Sequence, residues 1–399
     1  MRATLDPPTR TGSSSQPAAA ERAPRGAWGR FRRAAALAVL AILVASLGRD
    51  TGPPRFRLEP VAFAQLQGWA DDTLSAAIPA FLKSCDRFLT LPDAAPLDAR
   101  PSVADYGRVG AWRELCEAAA ALPPQDNGAA RRFFETSFIP LSVADYGASE
   151  GLFTGYYEIE LNGSRRQRGR YQTPIYRRPP EPGAAARYSR AEIENGALAG
   201  RGLELLWIDD PIDAFFLEIQ GSGRVRLRDG STVRVGYDGQ NGQPYVPVGR
   251  LLVERGVIPR SEATMMTIRD WMNTHPEAGA ALRRENPSYV FFRELSGDGP
   301  LGAEGVVLTA ERSLAIDRAF IALGIPTWVE ADERFASAEP VRRLVVAQDT
   351  GGAIKGAVRG DLFWGTGRAA ASRAGVMNAR GRYYLLVPRS AADRLVRGR

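Results

Sequence analysis

Histidine is almost missing from this chain of 399 residues; the single copy is His275. Ser-His-Asp chemistry, Cys-His chemistry and zinc sites built on paired histidines therefore lack their parts unless His275 is central to them. It precedes Pro276 in a polar stretch and reads as a loop or cap residue. Cysteine is nearly as scarce. Cys85 and Cys116 each fall on the apolar stripe of an expected helix, Leu74, Ile78, Phe81, Cys85 and Phe88 in one and Trp112, Leu115, Cys116 and Ala119 in the other. In an oxidising compartment they could pair, which is worth about 3 to 4 kcal/mol for an unstrained loop of that length. Two buried free thiols fit the sequence as well.

A membrane-spanning run is also lacking. The apolar stretch Ala34 to Leu47 holds 14 residues, short of the roughly 18 to 20 that cross a bilayer comfortably. It follows a basic cluster at Arg25, Arg30, Arg32 and Arg33, which is the pattern of a secretory signal. Export is expected, with cleavage near Val44 and Ser46 or retention as an N-terminal anchor. No cysteine lies near this segment, which excludes lipid attachment through an N-terminal Cys. The net charge of +7 does not signal nucleic-acid binding, because eight Arg against Asp6, Glu21 and Asp50 put +5 of it into residues 1–50.

What is present is an ordinary globular composition, 44% hydrophobic and 24% charged, with length for two domains. From about residue 60 to 140 the apolar spacing is helical, broken by Pro-rich stretches at 91–101 and at Pro123-Pro124. After Gly151 short β-rich runs take over, at Phe153 to Ile159, Ala214 to Gln220, Arg224 to Leu227 and Thr232 to Val235. Arg228-Asp229-Gly230-Ser231 predicts a hairpin turn. Ser189 and Glu192 form a capping box that starts a helix, and 261–273 predicts another. Strands return at Tyr289 to Phe292, Val306 to Leu308, Thr327 to Glu330, Leu344 to Ala347 and Tyr383 to Val387.

With His and Cys so rare, acid/base chemistry falls to carboxylates, Tyr or Lys. Three aspartates stand at the edges of apolar runs: Asp317 in Leu314-Ala-Ile-Asp-Arg-Ala-Phe, Asp349 in Asp-Thr-Gly-Gly-Ala-Ile-Lys-Gly356, and Asp361 in Gly360-Asp-Leu-Phe-Trp-Gly365. Singly, such residues are usually caps or turn formers. Together with a Gly-Gly turn and an aromatic pair they mark a site.

These segments resemble the three-aspartate (3D) domain of the membrane-bound lytic transglycosylase A (MltA) family. Upstream, Phe153-Thr-Gly-Tyr-Tyr-Glu158, Asp210-Pro-Ile-Asp213, Gln220-Gly-Ser-Gly223, Gly236-Tyr-Asp-Gly-Gln-Asn-Gly242 and Asn286-Pro-Ser-Tyr-Val-Phe-Phe292 are similar to that family as well. The resemblance implies a mainly β fold: a double-psi β-barrel with an inserted second β domain and a helical N-terminal region, and a groove for a glycan strand. The corresponding division is a leader with signal peptide or anchor at 1–50, a helical region at 51–156 leading into the barrel, an inserted β domain at 157–290 and the barrel at 291–390. It also implies cleavage of peptidoglycan between N-acetylmuramic acid and N-acetylglucosamine with formation of a 1,6-anhydro sugar, without cofactor or metal. Asp361 takes the place of the family's catalytic acid/base, Asp349 stands across the pocket and Asp317 supports. Between Asp349 and Asp361 the segment through Ala357-Val-Arg-Gly360 is stretched against the family pattern.

Residue types and positions suggest the substrate contacts. Gln220, Gly221, Ser222 and Gly223 allow close approach and hydrogen bonding by a sugar chain, while Tyr156, Tyr157 and Trp364 offer flat faces, although strand tyrosines often only pack. Gly351 and Gly352 form the turn before Lys355. Of 52 basic residues only Lys83 and Lys355 are lysine, so a flexible point charge is favoured at that turn. A monomer in the periplasm is expected, possible membrane association resting on the N-terminal segment, with glycan strands and other cell-wall enzymes as partners. Two other readings remain. A glycan-binding, wall-loosening module would use the same groove without cleavage. An aspartic protease would use Asp349-Thr350-Gly351, but it lacks the second aspartate copy, and Gly352 replaces the usual Ser or Thr.

Overall fold

A computed structural model describes residues 56–397 apart from 101–103, 182, 184–186, 298 and 334–339. The leader and its signal or anchor lie outside the described residues. Among the described residues no helix is long and apolar enough to cross a membrane.

The described residues form thirteen strands: β1 (Phe56–Pro60), β2 (Phe138–Asp145), β3 (Gly151–Ser164), β4 (Thr173–Tyr176), β5 (Glu204–Ile208), β6 (Ser222–Leu227), β7 (Thr232–Gln240), β8 (Val290–Leu295), β9 (Ser313–Ile316), β10 (Pro326–Glu333), β11 (Val341–Asp349), β12 (Arg359–Thr366) and β13 (Asn378–Pro388). Three helices precede β2, namely α1 (Ile78–Phe88), α2 (Val109–Ala120) and α3 (Asn127–Ser137). Seven more follow: α4 (Arg190–Glu194), α5 (Pro211–Gln220), α6 (Val248–Glu254), α7 (Met265–Thr274), α8 (Pro276–Arg284), α9 (Gly367–Val376) and α10 (Arg389–Arg397).

The fold is therefore mixed α/β and strand-rich, with one large mixed sheet, rather than mainly β. Helices recur among the strands because apolar segments there carry helix punctuation. Ala214 to Gln220, expected as a strand, belongs to α5. Asp210 caps it by accepting from the Ile212 N–H, Pro211 opens it and Gly221 ends it in a left-handed conformation. An unbroken apolar run does not distinguish buried strand from buried helix, and the Asp-Pro start and Gly stop decide. Val306 to Leu308 is also not a strand. Only a single bridge forms there, Leu301 to Val307, next to a turn at Gly305. The 189–192 capping box and the 228–231 hairpin turn are present as expected, and the helix expected at 261–273 is formed by Met265–Thr274. His275 sits between α7 and α8, stacked on Trp271 at 5.0 Å.

Two features of the sheet position the site. The pairings form a cycle, running β13, β10, β11, β9, β12, β3 and back to β13, with parallel contacts at β11–β9 and β12–β3. Strand β3 then continues beyond the cycle. Its first half pairs with β12, while Ile159 to Gly163 pair with β6. At the changeover Glu158 is fully buried, bound to Arg234 of β7 at 2.6 Å and to the Thr366 hydroxyl of β12 at 2.9 Å.

The N-terminal helices pack around Phe81, Trp112, Phe133, Phe134 and Phe138. Cys85 of α1 and Cys116 of α2 form a disulfide, Cα atoms 5.5 Å apart, which resolves the choice the sequence left open. With a sequence separation of 31 between the partners, its reduction should cost about 3.5 kcal/mol. A thermal melt with and without reductant reads this as a lower Tm, and an unchanged Tm contradicts it.

Candidate active site

β9 runs between β11 and β12, and its Ala315 is the register partner of Asp349 on one side and Asp361 on the other. Residues directly opposite one another share a face of a sheet, and neighbouring strands lie about 4.8 Å apart, so the two aspartate backbones flank Ala315 at a separation of about 10 Å. Ala315 itself is buried in a small apolar cluster with Tyr156, Leu308, Ile354 and Phe363. Asp349 reaches this register through a bulge. Ala347 pairs with Leu314 and Asp349 with Ala315, which makes Gln348 the extra residue. Without it Gln348 would stand opposite Ala315.

The two carboxyls are held differently. Asp361 Oδ1 accepts one hydrogen bond, from the Thr154 hydroxyl at 2.7 Å, and Thr154 in turn accepts from Arg359 Nη2 at 2.8 Å. Burial pushes the Asp361 carboxyl above the usual range, against the pull of the Arg359 charge and the Thr154 hydroxyl. Asp349 accepts three: from Tyr156 Oη at 2.8 Å, from the Ala303 N–H at 2.9 Å and from the Thr350 N–H at 2.9 Å. Burial outweighs those donors and pushes Asp349 up to about 6, with the Asp361 charge adding to the rise. None of its partners is an aspartate, so the Asp-Thr-Gly sequence does not build a proton-sharing pair of the protease kind.

Tyr156, half of the floor, packs its ring 5.2 Å from Phe363. With Leu308, Ala315 and Ile354 these rings form a small buried apolar cluster separate from the main core. The desolvation of both carboxyls follows from this dry floor. Asp317 has another task. It is buried, and its two oxygens accept from the backbone N–H of Ala319 and of Gly356 at 3.0 and 2.9 Å. That clamps the end of the Gly-Gly-Ala-Ile-Lys-Gly turn to the loop after β9.

The remaining expected site residues differ in exposure and packing. Gln220 is buried and accepts from the Tyr157 N–H at 2.9 Å, while Gly221 takes a φ of 76°. Ser222 and Tyr157 are buried, and a Cβ on Gly223 would fall 2.6 Å from Leu217. Gly352 and Lys355 are exposed and Gly351 is half-buried. Trp364 is only 9% exposed. Its indole N–H points to Met377 Sδ at 3.4 Å, the guanidinium groups of Arg343 and Arg373 lie over its ring, and a Cβ on Gly155 would fall 2.5 Å from it. The ring is thus packed as a core residue.

Sequence reasoning missed Thr154, Arg359, Ala303 and Tyr245. Thr154 stands two residues from Tyr156 on β3, and Arg359 two from Asp361 on β12, so strand alternation puts each on the same face as its partner. Ala303 acts through its backbone and carries no signal. Tyr245, in the stretch between β7 and α6, has a phenol raised by burial and by the Asp361 charge. Among the described residues no group of three or more His, Cys, Asp or Glu could hold a metal ion.

The MltA specific insert domain matches residues 152–293 and the 3D domain residues 312–387. Membrane-bound lytic murein transglycosylase A of Escherichia coli (strain K12) is 37% identical over 253 residues, covering 62% of this chain and 68% of that protein. The chain belongs to the MltA family. The crystal structure of a membrane-bound lytic murein transglycosylase from Agrobacterium tumefaciens superposes with a TM-score of 0.74 at 33% identity, covering 85% of this chain and 99% of that one. E. coli MltA with bound chitohexaose gives 0.64 at 30% identity, covering 86% and 96%.

Proposed function

We infer that the protein is a lytic transglycosylase that cleaves the β-1,4 bond between N-acetylmuramic acid and N-acetylglucosamine in peptidoglycan. Asp361 serves as acid and then base. The observation that carries this is the contrast between the two carboxyls flanking Ala315. Asp349 is bound by three donors, whereas Asp361 has one hydroxyl partner and a carboxyl raised by burial. A lightly held carboxyl raised by burial keeps its proton to a higher pH and has few bonds to break in delivering it.

Ordinary glycosidases need a second carboxyl to activate water or attack the sugar. Here the C6 hydroxyl of N-acetylmuramic acid is already tethered to the reacting centre, and its attack on C1 is intramolecular. Asp361 gives its proton to the glycosidic oxygen as the bond to C1 breaks. The C6 oxygen bonds to C1, its proton passes to Asp361, and the enzyme returns to its starting state with no water consumed. Tyr156 and the backbone N–H groups of Ala303 and Thr350 hold Asp349 across the pocket.

In this reading the strand cycle is a double-psi β-barrel at 291–390 joined by β3, residues 157–290 form the inserted domain, residues 51–156 lead into the barrel, and the glycan lies in a groove between the two. Gln220 to Gly223, Gly351, Gly352 and the exposed Lys355 line its course. The protein acts after export to the periplasm. Its disulfide supports that, since such bonds persist in oxidising compartments. Digestion of isolated peptidoglycan, with the products weighed, is the test. Sugars ending in a 1,6-anhydro group, one water lighter than hydrolysis products, are expected. Reducing ends would indicate a hydrolase, and no release a glycan-binding module.

A further inference from the structure

Behind Asp349 lies a buried polar cluster that the reaction itself does not use. Glu304, Ser84, Gln348 and Ser313 are each less than a tenth exposed. The Ser84 hydroxyl of α1 donates to Glu304 Oε2 at 2.7 Å. Gln348, the bulged residue next to Asp349, donates to Ser84 Oγ at 2.9 Å and to the Ala80 carbonyl at 2.8 Å, and accepts from Ser313 Oγ at 2.6 Å. The Glu304 N–H donates to the Gln348 carbonyl at 3.1 Å. One residue earlier, the Ala303 N–H donates to Asp349. Gly302 completes the close approach, since a Cβ there would fall 2.5 Å from the Gln348 carbonyl oxygen.

The loop 302–304 is therefore pressed against the end of β11 at two adjacent points, and the Glu304 side chain is its anchor into the protein. That anchor holds on to α1, which the neighbouring Cys85 disulfide ties to α2. Glu304 Oε1 has no hydrogen-bond partner among the described residues, and a Cβ on Gly324 would fall 2.8 Å from it. A buried carboxyl with one open oxygen is costly in its charged form, and burial pushes Glu304 up to about 7, with Ser84 and the Arg87 charge pulling down. Lys83, the other cation of α1 near this loop, is engaged with the Thr309 hydroxyl. Nothing about catalysis needs a carboxyl at this depth, yet its position fixes one of three donors that set the protonation of Asp349.

We propose that Glu304 is a positioning residue: through Ser84 and Gln348 it holds the Ala303 N–H on Asp349 and thereby tunes the carboxyl facing Asp361. It acts through the backbone and does not touch substrate. The titratable groups facing Asp349 itself are Asp361 and, through its neutral hydroxyl, Tyr156, and neither is altered by changing Glu304. The consequence for the pH profile rests on the transglycosylase reading, whereas the consequence for Asp349 does not.

The experiment is a carbon-detected NMR titration of the Asp349 carboxyl in the full chain, assigned by its loss in Asp349→Asn, for wild type, Glu304→Ala, Glu304→Gln and Ser84→Ala. Two or three backbone donors can lower a carboxyl by about two units, so loosening one should raise Asp349 by roughly half to one unit. That rise is expected in Glu304→Ala and Ser84→Ala. Glu304→Gln, which keeps the shape and the Ser84 bond, should titrate as wild type does. In parallel, with Asp349 acting as the ionised partner of a protonated Asp361 in the transglycosylase reading, the acid limb of kcat on purified glycan strands should move upward by the same amount with KM unchanged. The proposal is overturned if Glu304→Ala and Ser84→Ala leave Asp349 where it is, or if Glu304→Gln shifts it as far as Ala does. Should Glu304→Ala fail to fold, Ser84→Ala decides. Because the titration needs no turnover, a protein without transglycosylase activity would still answer the question about Glu304.

Discussion

Asp361→Asn is expected to lower turnover on peptidoglycan by on the order of 10⁴-fold, the upper end of what a positioned general acid or base contributes, because the same carboxyl serves both half-steps. KM for glycan strands should hold, since Asn keeps the shape and can still meet the Thr154 hydroxyl. The stability effect runs the other way. The folded-state pKa of Asp361 is raised by burial. The stability such a group contributes is full below its unfolded pKa and is lost as pH rises through the folded value. At neutral pH the ionised carboxyl therefore opposes folding, and the neutral amide relieves it. Melting curves should show Asp361→Asn at or above wild type at neutral pH, with the advantage vanishing in acid. Full activity in this variant, or a drop in Tm at neutral pH, contradicts the assignment.

The second large effect is on stability alone. Arg190 of α4 is 3% exposed and Glu218 of α5 6%, and they meet through two hydrogen bonds of 2.8 Å. Arg190 also donates to the carbonyls of Asn286 and Ser288 and lies over the rings of Phe215 and Tyr289. Arg190→Met leaves Glu218 buried with only the Val290 N–H as a hydrogen-bond donor. Removing one member of a buried pair costs about 3–5 kcal/mol, more than the pair itself contributes, because the desolvated charge stays behind. Burial already raises Glu218, with Arg190 holding it down. Loss of Arg190 raises it further, so the deficit should be deepest at neutral pH and shrink in acid as the carboxyl takes up its proton. Denaturant unfolding at both pH values reads this, and adding Glu218→Gln should recover most of the loss. Equal deficits in acid and at neutral pH would rule out the uncompensated charge as the cause.

The site was legible where chemistry is written locally. Asp349 and Asp361 share a face because strand alternation and a single bulge put them there, and the motif carrying them is contiguous. The 189–192 cap and the 228–231 turn were legible for the same reason. What escaped was non-local or ambiguous. The Ala303 N–H is a backbone group any residue could supply, and it comes from a loop 46 residues away from Asp349 in sequence. The strand assignment at Ala214 to Gln220 failed because an all-apolar run has no period, although Asp210-Pro211 and Gly221 marked a helix. Trp364 looked like a sugar platform from its neighbours in sequence. Its partners Gly155, Met377, Arg343 and Arg373 arrive from elsewhere in the chain. The cysteine pair could not be decided from two helical stripes, since register says nothing about how the helices cross.

Strand β3 has a consequence for how such chains can be rearranged. It lends its first half to β12 and its second to β6, so a cut on either side of it orphans a partner. Each fragment would then carry a bare row of backbone donors and acceptors, an invitation to aggregate. Chimeras between relatives should exchange β3 together with both of its neighbours.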